Sequence, residues 1–360
     1  MVRPEPERLL SVLHHEGCPG PVPFIELFAD QPIMEAVIGR PIPSPDAGDR
    51  AGWLQRGRDL VEFYRQLGYA YVPIGVSSGL QREVAQANDT AALSGGQRGW
   101  DNSATGVIRS WQDYESYPWP SVADVDWTPV QEALRSLPDD MTAIALGAGG
   151  VLEWVMWLMS YEHFAIALYD QPELVATLFE RITTLLVDTC NALLDLGHGR
   201  FGAYFIGDDM GHATGTMVAP SVLRQSVFPN QHKLAEAAHA HGLPFLLHTC
   251  GNLQEVMEDL ITTVQIDAKH SFEDKIEPVE AVHARYGTRI ALLGGVDVDL
   301  LTRGNEQQVR ARTRTLLDQL GPSGSWCLGT GNSVANYIPV RNYLAMLDEG
   351  KRWNSAHFGG

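Results

Sequence analysis

LPFLLHTCGNL, residues 243–253, is an apolar run that ends on His248 and Cys250 and passes into the turn pair Gly251-Asn252. A short continuous apolar run bounded by turn residues has the character of a strand buried on both faces. Residues two apart on a strand share a face, so His248 and Cys250 project together and Thr249 opposes them. The pair is either core filler, since Cys is often buried, or half of a zinc site, since zinc takes Cys sulfur and His nitrogen.

Seven other runs share this design, an apolar stretch ending in glycine or polar residues. They are PVPFIELF (21–28), YAYVPIGV (69–76), TAIALGAGG (142–150), FGAYFIGDD (201–209), TVQIDAKHS (263–271), RIALLGGVD (289–297) and SWCLGTGN (325–332). Stretches with helical periodicity lie between them, such as EQQVRARTRTLLDQLG, and Gly242 and Gly321 stand where helix C-caps belong. Eight β-then-α units predict an α/β fold, a (β/α)8 TIM-type barrel over residues 1–360 as one domain, with a doubly wound open sheet as the alternative. Residues 77–130, rich in Gly, Asn and Asp with scattered aromatics, break the rhythm. They predict a β-hairpin and loop inserted after the second strand, serving as a lid or as a surface excursion.

The bulk numbers narrow the function classes. A net charge of −18 would repel nucleic acid from most of the surface. No apolar run reaches the ~18–20 residues that span a bilayer, and MVRPEPERLLSVLHH lacks a signal-peptide pattern. A cytoplasmic protein is expected, without membrane or nucleic-acid partners. Its four cysteines form no disulfide framework.

In a barrel of this kind chemistry gathers at the C-terminal strand ends. Those ends carry Glu26, Glu153, Asp208 and Asp209, then His248 and Cys250, and, further on, His270 with Glu273, Asp297, and Thr330 with Asn332. Tyr161 and His163, in SYEHF, are expected on a helix beside the mouth. Asp208 and Asp209 alternate in direction, so at most one faces the barrel axis; the pair either serves the site, where neighbouring carboxylates share a proton or hold a cationic group, or caps the N-terminus of a helix that follows. Asp299 is expected to cap the helix around Leu300 and Leu301. A zinc ion needs a third protein ligand. Cys327 lies five residues before Asn332, about 15 Å down the strand at ~3.3 Å per residue, so His270 and Glu273 stand nearer the mouth.

At these residues the chain resembles the uroporphyrinogen decarboxylase superfamily. The motifs are GDDMG (207–211), LLHTCGNL (246–253), DAKHSFED (267–274), LLGGVDVDLL (292–301) and GTGNSVANYIPVRNYLAML (329–347). The resemblance implies a distorted (β/α)8 barrel. The decarboxylases of the superfamily carry an Arg-rich N-terminal motif that grips substrate carboxylates, and PFIELFADQP here has no Arg. Its other branch contains corrinoid-dependent methyltransferases, whose His-x-Cys zinc motif matches His248 and Cys250. In that branch a Cys follows the last strand as third ligand, whereas GTGNS here places Asn332 at that position.

The resemblance therefore implies methyl transfer between a small molecule, as methyl donor or thiol acceptor, and a corrinoid (cobalamin) carried by a partner protein. The expected metal ligands are His248, Cys250 and Cys327, with His270 or Glu273 as replacements for Cys327. Catalysis is expected at Asp208, Asp209, His270 and Glu273, cofactor contact at Asn332 and Asp297, and substrate contact at Glu26, Glu153, Tyr161 and His163. A homodimer is one assembly that the resemblance allows. Two other functions stay open: decarboxylation of a tetrapyrrole or other acid, and non-catalytic binding of a corrinoid or other ligand.

Overall fold

A computed structural model describes residues 5–91, 93, 96–101 and 105–359. In chain order its strands are β1 Tyr71–Gly75, β2 Val84–Asn88, β3 Gln97–Asp101, β4 Thr142–Leu146, β5 Phe201–Gly207, β6 Gly211–His212, β7 Gly215–Thr216, β8 Phe245–His248, β9 Ala268–His270, β10 Ala291–Leu293 and β11 Trp326–Cys327. Seven of them form one parallel sheet in the order β1-β4-β5-β8-β9-β10-β11. Helices cover the sheet, and β5 and β8 are buried along nearly their whole length. This two-sided burial is why those strands read as continuous apolar runs rather than alternating ones.

The first predicted run takes the eighth position without forming a full strand. The Ile25 N–H donates to the Leu328 carbonyl and the Leu328 N–H to the Pro23 carbonyl. Pro21 and Pro23 have no N–H to give, which limits ladder formation there. Among the described residues no ladder joins this segment to β1. A side chain bridges the seam instead: the Tyr71 hydroxyl accepts from the Glu26 N–H at 2.8 Å and donates to the Glu26 carbonyl at 2.7 Å. The barrel is thus closed by backbone bonds on one side of the first segment and by a tyrosine on the other.

Gly242, at φ 72°, ends its helix in the left-handed conformation expected of a C-cap. Gly321 differs. Its φ is −53°, and the chain continues into a tight turn. A Cβ there would stand 2.7 Å from the Trp353 ring, so Gly321 is needed for space rather than for its φ.

The insertion contains the expected hairpin, with β2 antiparallel to β3. It also contains helix where only loop was expected. Trp111–Ser116 is helical, and Ser110 caps it by accepting from the Asp113 N–H. The hairpin rests on the turn after β11, where Asn336 donates to Asp89 at 2.5 Å and the Arg98 guanidinium lies 5.9 Å from the centre of the Tyr337 ring. Among the described residues no helix is long and apolar enough to cross a membrane. All four cysteines are free.

Candidate metal centre

The site begins with the division of labour between Asp208 and Asp209 at the end of β5. Asp208 is fully buried. Its carboxylate accepts from the N–H groups of Val151 at 2.9 Å, Leu152 at 3.2 Å and Glu153 at 2.9 Å, and from the Gln231 amide at 2.7 Å. It therefore caps the helix Val151–Met159, which has no capping side chain of its own. Gly150 permits the approach, since a Cβ on it would lie 2.1 Å from the Asp208 carboxyl carbon. Burial pushes Asp208 up to about 6, against the pull of these hydrogen bonds. Asp208, expected to be catalytic, is placed as a helix cap supplied by a distant strand, its oxygens taken up by three backbone N–H groups and the Gln231 amide.

Asp209 turns the other way. Its Oδ1 accepts from the Cys250 N–H at 2.8 Å and lies 3.7 Å from His248 Nε2. The register Gly207↔His248 between β5 and β8 sets these ends side by side. His248 Nε2 lies 3.4 Å from Cys250 Sγ, as the shared strand face predicts. One donor atom each from Asp209, His248 and Cys250 lies within 4.8 Å of the other two.

Four neighbours complete the surroundings. His248 Nδ1 stands 2.7 Å from Nδ1 of His270, which is fully buried. The Asn332 amide donates to Cys250 Sγ at 3.3 Å and the Ser271 hydroxyl at 3.5 Å. The Lys269 ammonium, buried behind the same strand ends, donates to the Ser271 carbonyl at 2.6 Å. Burial lowers Lys269 to about 8.

Burial holds His248 down to about 4, with Asp209 opposing the shift. Burial and the Asp209 carboxylate push Cys250 up to about 12. The ring is therefore neutral near pH 7, and the thiol keeps its proton until a cation offsets the acid beside it. Carboxylate oxygen, imidazole nitrogen and sulfur are a donor set that zinc accepts. On this chemistry the residues fit a zinc ion.

The other predicted residues are placed elsewhere. Cys327 is paired with Leu293 on the last strand of the sheet and fully buried, outside the Asp209–His248–Cys250 group, so its assignment as a ligand is corrected. Asp297 is not at the centre either. It caps the helix Val298–Arg303 by accepting from Asp299 and Leu300, and it accepts from Asp274 N–H at 2.8 Å. Asp299, expected as that cap, pairs with Arg303 and Lys275 instead. Glu26, expected to touch substrate, is 1% exposed and accepts from the Thr330 N–H at the barrel seam.

Tyr161 donates to the Met217 carbonyl at 2.8 Å, and the His163 ring meets the Arg109 carbonyl at 3.1 Å. Both tie their helix to neighbouring loops. Glu153 sits in the first turn of the helix that Asp208 caps. Glu273 is exposed and lines a crevice with Lys269, Gly251 and Met257. Ser271 was not foreseen. It reaches the sulfur from a left-handed backbone, φ 84°, that nothing in the sequence announces.

A family model described as "Uroporphyrinogen decarboxylase (URO-D)" matches residues 103–353. A solved methyltransferase from Methanosarcina mazei shares 17% identity and a TM-score of 0.71, with 98% of this chain and 99% of that one covered. A B12-independent methionine synthase from Shewanella sp. W3-18-1, solved in complex with selenomethionine, shares 12% identity and a TM-score of 0.54, covering 93% of this chain and 95% of that one. These likenesses concern the fold. No curated protein matches the chain.

Proposed function

The chain belongs to the uroporphyrinogen decarboxylase family, and we propose that it is a zinc-dependent methyltransferase whose metal is held by Asp209, His248 and Cys250. The observation that carries the proposal is the convergence of those three donor atoms at the C-terminal end of the barrel. When bound there, zinc supplies Lewis acidity, which lowers the pKa of a substrate thiol or polarises the heteroatom that carries the methyl group.

The chain's own residues prepare the position. With Nδ1 engaged by His270, His248 turns Nε2 toward Cys250 and Asp209. If His248 carries the Nδ1 proton, the Nε2 lone pair is free, as ligation requires. Asp209 takes the place foreseen for Cys327, His270 or Glu273. The methyl carrier in this proposal is a corrinoid on a partner protein, in the cytoplasm. The solved neighbours include a methyltransferase and a synthase described as B12-independent, so the carrier needs its own test. Decarboxylation of a polyacid is disfavoured by PFIELFADQP, which offers no Arg to pair with substrate carboxylates.

The first experiment is elemental analysis of purified protein. About one zinc per chain is expected in the wild type. Less than about a tenth of that is expected after dialysis of Cys250→Ala, because structure-bearing zinc sites lose most of their affinity with a ligand. A wild type that binds no zinc overturns the proposal. Incubation with methylcobalamin and a panel of thiols, followed by Co(I) absorbance, then tests the carrier. If no Co(I) forms, the corrinoid is removed from the proposal.

A further inference from the structure

Asn332 occupies the turn after β11 in an unexpected role. Its Oδ1 accepts from the Ser333 N–H at 2.7 Å, and its Nδ2 donates to Cys250 Sγ at 3.3 Å. The bond to the backbone N–H fixes which end of the amide is which. The group facing the centre is therefore a donor. An amide N–H cannot ligate a cation, but it can stabilise a thiolate. Ser271 presents a second donor to the same sulfur.

The turn is firmly held. The Gly331 N–H donates to the Val296 carbonyl at 2.7 Å, the Phe272 N–H to the Gly331 carbonyl at 2.9 Å, and the Thr330 N–H to Glu26 at 3.0 Å. The two sulfur-facing donors thus belong to one cross-linked unit, since Phe272 directly follows Ser271 in the chain. Donors fixed by such bonds need no rearrangement to act.

We propose that Asn332, together with Ser271, is a positioning residue for Cys250: the two hydrogen bonds orient its sulfur and withdraw charge from it, leaving Asp209 as the third protein ligand. This inference rests on the zinc site proposed above. A thiolate that accepts hydrogen bonds gives less charge to its metal, and outer partners of this kind are worth roughly 10–100-fold in metal affinity.

Cobalt(II) substitution reads the sulfur directly. With cobalt chloride as the probe, the wild type should show a sulfur-to-cobalt charge-transfer band that Cys250→Ala abolishes. In Asn332→Ala and Asn332→Leu the band should persist and move to lower energy, because the sulfur electrons lie higher without the donor. Zinc affinity, measured by chelator competition, should fall about tenfold, because without the donor the sulfur loses its orientation and holds its proton more tightly, and zinc binds only the thiolate. Ser271→Ala should shift the band the same way by less.

Circular dichroism establishes that each variant is folded. If the Asn332 variants do not fold, Ser271→Ala decides: a shift supports the proposal and an unmoved band overturns it. An unmoved band in folded Asn332 variants also overturns it, while the zinc site stands. A wild type with no charge-transfer band overturns the zinc site itself, and the two failures are thereby distinguished.

Discussion

Asp208→Ala is expected to lower stability by about 4 kcal/mol, since each unpaired buried donor costs about 1–3 kcal/mol and partial relaxation makes the losses sub-additive. The substitution strands three N–H groups at the start of the helix Val151–Met159 and the amide of Gln231, all served by one buried carboxylate. At an unfolding entropy of about 2.1 cal/mol/K per residue, the melting temperature should drop by roughly 5 °C. Thermal melts followed by circular dichroism measure this, and an unchanged melting temperature would show that the cap contributes nothing. Zinc content should fall much less than stability in the same variant, because Asp209 and not Asp208 lies in the donor group.

Glu26→Gln is expected to remove a large pH dependence of stability. Burial pushes Glu26 from its ordinary value of 4.5 up to about 8, against hydrogen bonds from Thr330 and Tyr69 that pull it down.

The sign follows from linkage. A carboxyl with a raised folded pKa gives the folded state an extra proton between the two values. Stability therefore falls as pH rises from 4.5 to about 8, by about 1.4 kcal/mol per pH unit, and is flat beyond. Glutamine keeps a donor and an acceptor and cannot ionise. Relative to the wild type, the variant should gain about 4 kcal/mol between pH 5 and pH 9. Urea melts of both proteins at those pH values measure the difference, in which the other titrating groups cancel. Parallel pH curves would mean that Glu26 is ionised in the fold.

The barrel was legible because burial on both faces writes each parallel strand as an apolar run, and that signal needs only neighbouring residues. Where pairing was one-sided, as at Phe24, the run was legible but the strand it forms is reduced to a bridge. The shared face of His248 and Cys250 was legible for the same local reason, the alternation of a strand. The fates of the acids were not. Asp208 caps a helix that begins 57 residues before it, and a capping pattern is recognisable only when cap and helix adjoin. Asp297 and Asp299 do adjoin their helix, yet the choice between them turned on an offset of two residues, and Asp274 helped to make it.

By itself, the sequence determined that apolar strand-forming runs would follow one another, that helices would cover them, and that a nitrogen and a sulfur would leave one strand together. Only the tertiary structure decided what joins them. Asp209 reaches the pair through the register of β5 with β8, and Asn332 reaches the sulfur from 82 residues away. Side-chain direction along a strand follows from backbone alternation. The meeting of two strand ends follows from packing and register across the whole barrel, which no local pattern encodes.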